Sequence, residues 1–330
     1  MDSNVSKNTN SHKFFKIPLN REKLTISLRN LVQQWLLTTW DLYHQNFKIE
    51  VDVAAIKKII SSKIAVANHQ LPSLHSINNT NLLYAQSEMI PTVYCCPIGL
   101  LLAAHGQLSL KIVMRNLERL LMQSQNEFAT EPQLKLSVNM VDSGWLNIFL
   151  DSSILTAWLG ELINQAKSQQ RSLVDVSLDS CCQTPVKLFP VQYLHARCCS
   201  LLRLGAREKL VTLLGNFQQS GWQLIQPESI SWLDDQQNLW LTELSEHNLL
   251  RQLLMVTDTF ALQPDHNWET IAVNLSQTTA IFLADCRFLG EVKLQYPLKA
   301  IARLGLIALV QYWLQRILIE KLNLSAPTEL

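Results

Sequence analysis

Residues 189–203 read FPVQYLHARCCSLLR, and this stretch decides how the second half of the chain is read. Pro190 suits the first turn of a helix, where its missing N–H and fixed φ cost nothing. Beyond it Leu194, Cys198, Leu201 and Leu202 recur at i, i+4, i+7 and i+8, the apolar stripe of an amphipathic helix. Gln192, His195, Cys199 and Arg203 repeat at i, i+3, i+7 and i+11 and share another face. Polar groups in that register admit two readings. They form a surface for RNA or a partner protein, or they satisfy hydrogen bonds between helices near a helix N-terminus.

Downstream of this helix the pattern stays helical. Ile271, Leu275, Thr278 and Phe282 form a second stripe, and residues 296–321 form a long final helix. Its most apolar part, Leu304–Gln315, is bracketed by Arg303 and Arg316. That is shorter than the ~20 residues needed to span a bilayer, so it is read as a buried helix and no membrane insertion is expected.

Upstream the chain changes character. Residues 1–13 are polar, without the apolar core of a signal peptide, and are read as a disordered tail. In residues 21–43, Leu24, Leu28, Leu31, Trp35 and Leu36 fall on one helical stripe. FKIEVDVAAI (47–56) opens with strand-like alternation. Residues 97–123 are read as one or two helices around His105-Gly106. LKLSVNMVD (134–142) alternates with period two, as a half-buried strand does, and SGWLNIFLD continues it after a turn. Residues 152–166 return to helix. KSQQRSLVDVSLDSCCQTPVK (167–187) is the best linker. The expected architecture is therefore mainly α: a small α+β domain over 14–166, the linker 167–187, and an all-α helical bundle over 188–330.

Composition removes several function classes. The 330 residues carry 28 Lys+Arg and 27 Asp+Glu, a net charge of +1, so no global field draws polyanions or membranes. Residues 188–330 hold 11 Lys+Arg against 13 Asp+Glu, a local charge of −2. There are nine glycines, none before Gly99. Phosphate-cradling loops and H-E-x-x-H are absent, and no cofactor is implied. Of seven cysteines, six form the adjacent pairs Cys95-Cys96, Cys181-Cys182 and Cys198-Cys199. Without any C-x-x-C they are read as reduced core thiols of a cytoplasmic protein. Cys198 and Cys199 sit near a helix start, where a thiol pKa can fall, but no oxidoreductase motif accompanies them. His69 and His75 share a polar loop without a third metal ligand.

The opening stretch has a context. VQYLHARCCSLLR resembles the V-Q-Y-x-H-A-R-x-x-S-I/L-L-R run that opens the anticodon-binding helical domain of arginyl-tRNA synthetases. Gln192, Tyr193, His195, Ala196, Arg197, Ser200 and Arg203 carry the match. LTELSEHNLLRQLL (241–254) resembles that domain's next helix. DCRFLG (285–290) resembles its N-C-R-V-L-G turn, with Asp285 in place of Asn. ARLGLIALV (302–310) resembles A-R-L-A-L, and LNLSAPTEL resembles L-G-I-x-A-P-E-R-M, with Leu330 where the family has Met. SGWLNIFLDSSILTAWL (143–159) and VYCCPIGLLLAAHGQLSLKIVMRNLERLL (93–121) resemble segments of the same family's N-terminal additional domain. There only Tyr94 survives of a D-Y-Q motif that serves tRNA elbow recognition.

The synthetases carry a catalytic domain with H-x-G-H and K-M-S-K-like motifs between these two parts. Here only residues 167–187 separate them, whereas such a domain needs ~100 residues or more. The resemblance therefore implies a non-catalytic relative that keeps the tRNA-touching parts. Two functions stay open: a tRNA- or RNA-binding accessory module, and a protein-interaction scaffold built on repurposed surfaces. A third, a subunit completing a separate catalytic chain, is also open. Candidate RNA- or partner-binding residues are Gln192, Tyr193, His195, Arg197, Arg203, Arg287, Arg303 and Tyr94. Asp285 or Glu291 are candidate structural partners for the two later arginines. Trp222, Trp232, Trp240 and Trp268 are candidates for base stacking or for the core.

Overall fold

The computed structural model describes residues 13–18, 28–29, 32–33, 36, 65–66, 89–106, 109–127, 133–140, 143–169, 186–214, 223–262 and 266–330. Residues 1–12, 47–56 and 170–185, with Trp222, Cys181 and Cys182, lie outside them. Compactness divides the chain into two units, Met1–Ile154 and Leu155–Leu330.

The first unit is built on an antiparallel sheet of β1 (Lys13–Pro18), β2 (Ala65–Val66), β3 (Met89–Cys96), β4 (Gln133–Met140) and β5 (Leu146–Asp151), in the order β1-β4-β5-β3-β2. Lys13, expected in the tail, is the first residue of β1 and pairs with Val138. The period-two alternation is realised most cleanly in β5, where Leu146, Ile148 and Leu150 are buried and their neighbours are half-buried. Helices α1 (Ile98–Gly106) and α2 (Leu110–Glu127) follow β3 and break after Gly106, as expected. Each buries an i, i+4 pair, Ile98 with Leu102 and Val113 with Leu117. Helical residues Leu28, Val32 and Leu36 supply a third buried line. Gly144, at φ +88 in the β4–β5 turn, has no room for a side chain: a Cβ would lie 2.8 Å from a Leu110 methyl and 2.9 Å from Leu100 Cγ.

The second unit begins within α3 (Ser152–Gln169), whose body from Leu155 onward packs with the helical half of the chain. It continues with α4 (Phe189–Arg207), α5 (Leu244–Leu262), α6 (Trp268–Asp285), the short α7 (Glu291–Gln295) and α8 (Pro297–Arg316). The long apolar helix is the centre of this unit. Every residue from Ala302 to Gln315 is buried, so α8 shows no polar face. With the π turn Ile317–Lys321 it forms a run of 25 residues holding an 18-residue window of mean hydropathy 1.2, long and apolar enough to cross a membrane, yet 89% of that window is buried inside the protein. Gly205 on α4 lets α8 approach closely, since a Cβ there would lie 2.8 Å from a Leu304 methyl.

Not everything after Pro190 is helical. Between α4 and α5 the chain forms a two-stranded antiparallel sheet, β6 (Thr212–Leu214) with β7 (Gln223–Gln226), and then an irregular segment over 227–243. Asp234 closes a turn there by accepting from the amides of Gln236 at 2.9 Å and Asn238 at 2.8 Å.

Candidate functional site

The two readings of the Gln-Tyr-x-His-Ala-Arg run separate on the surface of α4. A helical period of 3.6 sends Gln192, His195, Cys199 and Arg203 to one side and Phe189, Tyr193, Arg197, Ser200 and Arg207 to another. The first side is occupied by the protein's own C-terminal segment. Asn323 adopts a left-handed backbone, φ 52, at the end of the helical run, as Asn tolerates in a C-terminal cap. The chain turns back and Leu324 N bonds Leu318 O at 2.8 Å.

Residues 325–329 then run past α4, and its polar side chains take the backbone carbonyls. Gln192 Nε2 donates to Ser325 O at 2.8 Å. His195 Nδ1 donates to Pro327 O at 2.8 Å. Arg203 donates to Thr328 O at 2.8 Å and pairs with the Glu329 carboxylate at 3.0 Å. Behind His195, Gln311 on α8 donates to the imidazole Nε2 at 2.9 Å and to Gln315 Oε1 at 3.0 Å.

This geometry sets the histidine's chemistry. His195 is 0% exposed. Burial lowers its pKa from 6.5 to about 4, opposed in part by the hydrogen bond to Pro327. It is a neutral imidazole, with the proton on Nδ1 facing a carbonyl and Nε2 free to accept from Gln311. Cys199 Sγ lies 4.0 Å from Nε2. Burial pushes the Cys198 thiol up, and the nearby Cys199 adds to that, against a lowering by Arg197. The lowered thiol pKa expected near the helix start is therefore not realised at Cys198, which lies at the middle of α4, where burial outweighs the lowering by Arg197. Cys95, Cys96, Cys198, Cys199 and Cys286 are buried and unbridged.

A neighbouring side of α4 is open. Phe189 is 53% and Tyr193 47% exposed, and Arg197 and Arg207 are exposed beside them. Phe189, Tyr193 and Arg197 stand at i, i+4 and i+8, adjacent along one line of the helix.

The other candidates disperse. Tyr94 is fully buried on β3 in the first unit, paired across the sheet with Ile148 and Val66. Arg303 is buried and its Nε donates to Glu246 Oε1 at 2.7 Å. Its partner is thus Glu246 on α5 rather than Asp285 or Glu291. Glu246 is 0% exposed, and its second oxygen accepts from Glu243 N at 2.8 Å, an N-terminal cap for the helix. Arg287 lends Arg303 only its backbone carbonyl and keeps its own side chain exposed. Trp232 and Trp268 are core residues, and Trp240 is half-buried against Tyr296 at a centroid distance of 6.5 Å. Tyr312 and Trp313 are buried. Among the described residues no group of three His, Cys, Asp or Glu could hold a metal ion.

Sequence reasoning singled out the α4 residues but missed their partners in the segment 325–329. It also missed Phe189, whose place one turn before Tyr193 was the available signal. Comparison with protein-family models, with curated proteins and with solved structures found no match to this chain.

Proposed function

We propose that this chain is a non-catalytic, arginyl-tRNA-synthetase-like protein of the cytoplasm that binds tRNA or another RNA as an accessory or regulatory module. One observation supports the reading best: the outward line Phe189–Tyr193–Arg197 on α4, within the stretch that carries the resemblance. Two exposed aromatic rings in register with an arginine suit unpaired bases, which stack on aromatic faces for ~1–3 kcal/mol each while a guanidinium takes a phosphate or stacks. The local charge of −2 over residues 188–330 keeps the number of phosphate contacts small. A slope of log K against log salt of about −2 to −4 follows for ~2–4 contacts.

The test is titration of the full chain with tRNA and with a length-matched unstructured RNA. Tyr193→Ala and Arg197→Ala serve as probes, since neither touches the C-terminal segment. Arg203→Ala is the contrasting control, because its side chain is committed to that segment. Loss of affinity in the first two but not the third supports the reading; equal affinity in all of them removes it. The same preparation should show no arginine-dependent ATP–pyrophosphate exchange.

A protein scaffold is the second reading, favoured by a different observation. Leu294, Tyr296 and Leu298 are 81%, 50% and 41% exposed at the junction of α7 and α8. Clusters of exposed large apolar side chains mark protein contact sites. A nuclease-treated pull-down that retains one partner at fixed stoichiometry, beside a featureless RNA titration, would favour it.

A further inference from the structure

Two exposed surfaces of this chain are alike in apolarity and opposite in charge. The first lies in the sheet unit, around the β4–β5 turn. Gly99 N donates to Gly144 O at 3.1 Å, and the side chains of Leu100 and Leu110 lie against Gly144. That contact gathers three elements at one place. Leu100 of α1 is 40% exposed, Ile112 of α2 50%, and Trp145 beside the turn 38%. Lys111 and Arg115, one turn apart on α2, are exposed next to Ile112. The acid further along, Glu118, is half-buried and already engaged. Together they make an apolar knob with a basic rim.

The second surface lies in the helical unit. Leu233 bridges Leu239, and Trp240 N bonds Trp232 O at 3.0 Å, which makes a hairpin with Asp234 and Asp235 near its tip. Tyr296 packs against Trp240 on that hairpin. Leu298 shares the wall of an open cavity of about 720 Å³ with Glu228, Asp234 and Asp235. The exposed ridge Leu294, Tyr296 and Leu298 therefore borders a concave surface. Its charge has one sign. Lys293 pairs with Glu208 and Lys299 with Glu243, and Arg287 is offset by Asp285 two residues before it. Glu228, Asp234, Asp235 and Glu291 remain, against Lys167, whose Nζ donates to Glu228 O at 2.8 Å. This is an apolar socket with an acidic rim.

We propose that the socket of one copy of this chain receives the α2–Trp145 knob of a second copy. Opposite charges meet around apolar centres, the arrangement that steers and registers protein contacts. Trp and Arg, both present on the knob, are the residue types that dominate the energy of such contacts. A net charge of +1 gives two copies almost no mutual repulsion. Knob and socket are different patches, so the contact is heterologous and joins copies head to tail. The inference rests on the ridge that also supports the scaffold reading, gives it an occupant, and is independent of any RNA surface on α4.

Sedimentation velocity on the full chain tests it. Average mass should rise between ~1 and ~100 μM, where contacts smaller than a standard interface dissociate. Raising salt from ~0.1 to ~1 M shortens the screening length from about 10 to about 3 Å and should weaken association several-fold. Lys111→Glu with Arg115→Glu should be monomeric alone, as should Glu228→Lys with Asp235→Lys. Mixed together, these two variants should associate again, because each then offers the charge the other needs. Leu294→Ser with Leu298→Ser should weaken association about tenfold or more. A monomer at every concentration would overturn the proposal. Unaltered association in either charge-reversed variant would overturn the surfaces assigned. A mixture that stays monomeric, while each variant keeps the parent's far-ultraviolet circular dichroism, would overturn the pairing. A strictly monomeric chain that retains a foreign protein would overturn self-association and leave the scaffold reading in place.

Discussion

Two buried polar networks stitch the helical unit together, and they are made of opposite materials. One is neutral: His195, Gln192, Gln311 and Gln315, closed by backbone carbonyls of the C-terminal segment. The other is ionic: Glu246 and Arg303, closed by the amide of Glu243 and the carbonyl of Arg287. Both join residues far apart in sequence, 133 positions for Gln192 with Ser325 and 57 for Arg303 with Glu246. The neutral network needs every group uncharged and in one tautomer. The ionic network needs both charges present. They fail under different insults.

The largest effect falls on the ionic side. Arg303→Ala leaves Glu246 buried without its counter-charge and should cost about 3–5 kcal/mol. The double change Glu246→Gln with Arg303→Met removes both charges and should recover a good part of that loss in urea unfolding. If the double variant is no better than the single one, the networks differ less than their chemistry says.

Acid is the next lever, and it acts on the neutral side. The folded chain holds His195 at about 4, below its ordinary 6.5, so the unfolded chain takes up the proton first. The stability this neutral histidine contributes is whole above pH 6.5 and is lost as pH falls toward 4, up to ~3 kcal/mol in all. His247 has its pKa lowered by burial too and adds in the same direction. Unfolding measured from pH 7 to 4.5 should therefore slope less in His195→Gln than in the parent chain. Parallel slopes would remove the neutral imidazole from the account.

A smaller response belongs to the rim of the same network. Arg203→Ala breaks an ion pair to the well-exposed Glu329 and one hydrogen bond to Thr328 O. About 0.5–1 kcal/mol of stability should go. Hydrogen exchange should quicken in residues 325–330, with α8 unaffected. Smallest of all, Tyr193→Ala and Arg197→Ala on the open face should leave stability within ~0.5 kcal/mol. A large loss there would show that the outward line is structural.

These contrasts also mark what could be read from the sequence. Local periodicity was legible: Leu194, Cys198 and Leu202 are buried, as are Ile271, Leu275 and Phe282, and β4 forms where alternation placed it. Partners across long separations were not. Spacing put Gln192, His195 and Arg203 on one face but could not say that Ser325, Pro327 and Thr328 would fill it, because those contacts are with carbonyls that any residue carries. Arg303 was sought a partner 18 or 12 positions away, at Asp285 or Glu291, and Glu246 lies 57 positions away on α5. The sheet of β6 and β7 escaped notice because strands of three and four residues carry too few alternations to register. The central helix α8 was recognised by length and apolarity, although a helix buried on all sides has no moment to signal its orientation.

The wrapping of the C-terminal segment onto α4 has a consequence for how the protein is made. Chains emerge from the ribosome N-terminus first, at ~5–20 residues per second. Ser325 follows Gln192 by 133 residues, so α4 waits on the order of ten seconds with its polar groove unfilled. During that interval α8, its principal apolar neighbour, is not complete either. The helical unit therefore cannot reach its final packing during most of its own synthesis, and the groove on α4 is among the last of its surfaces to be filled.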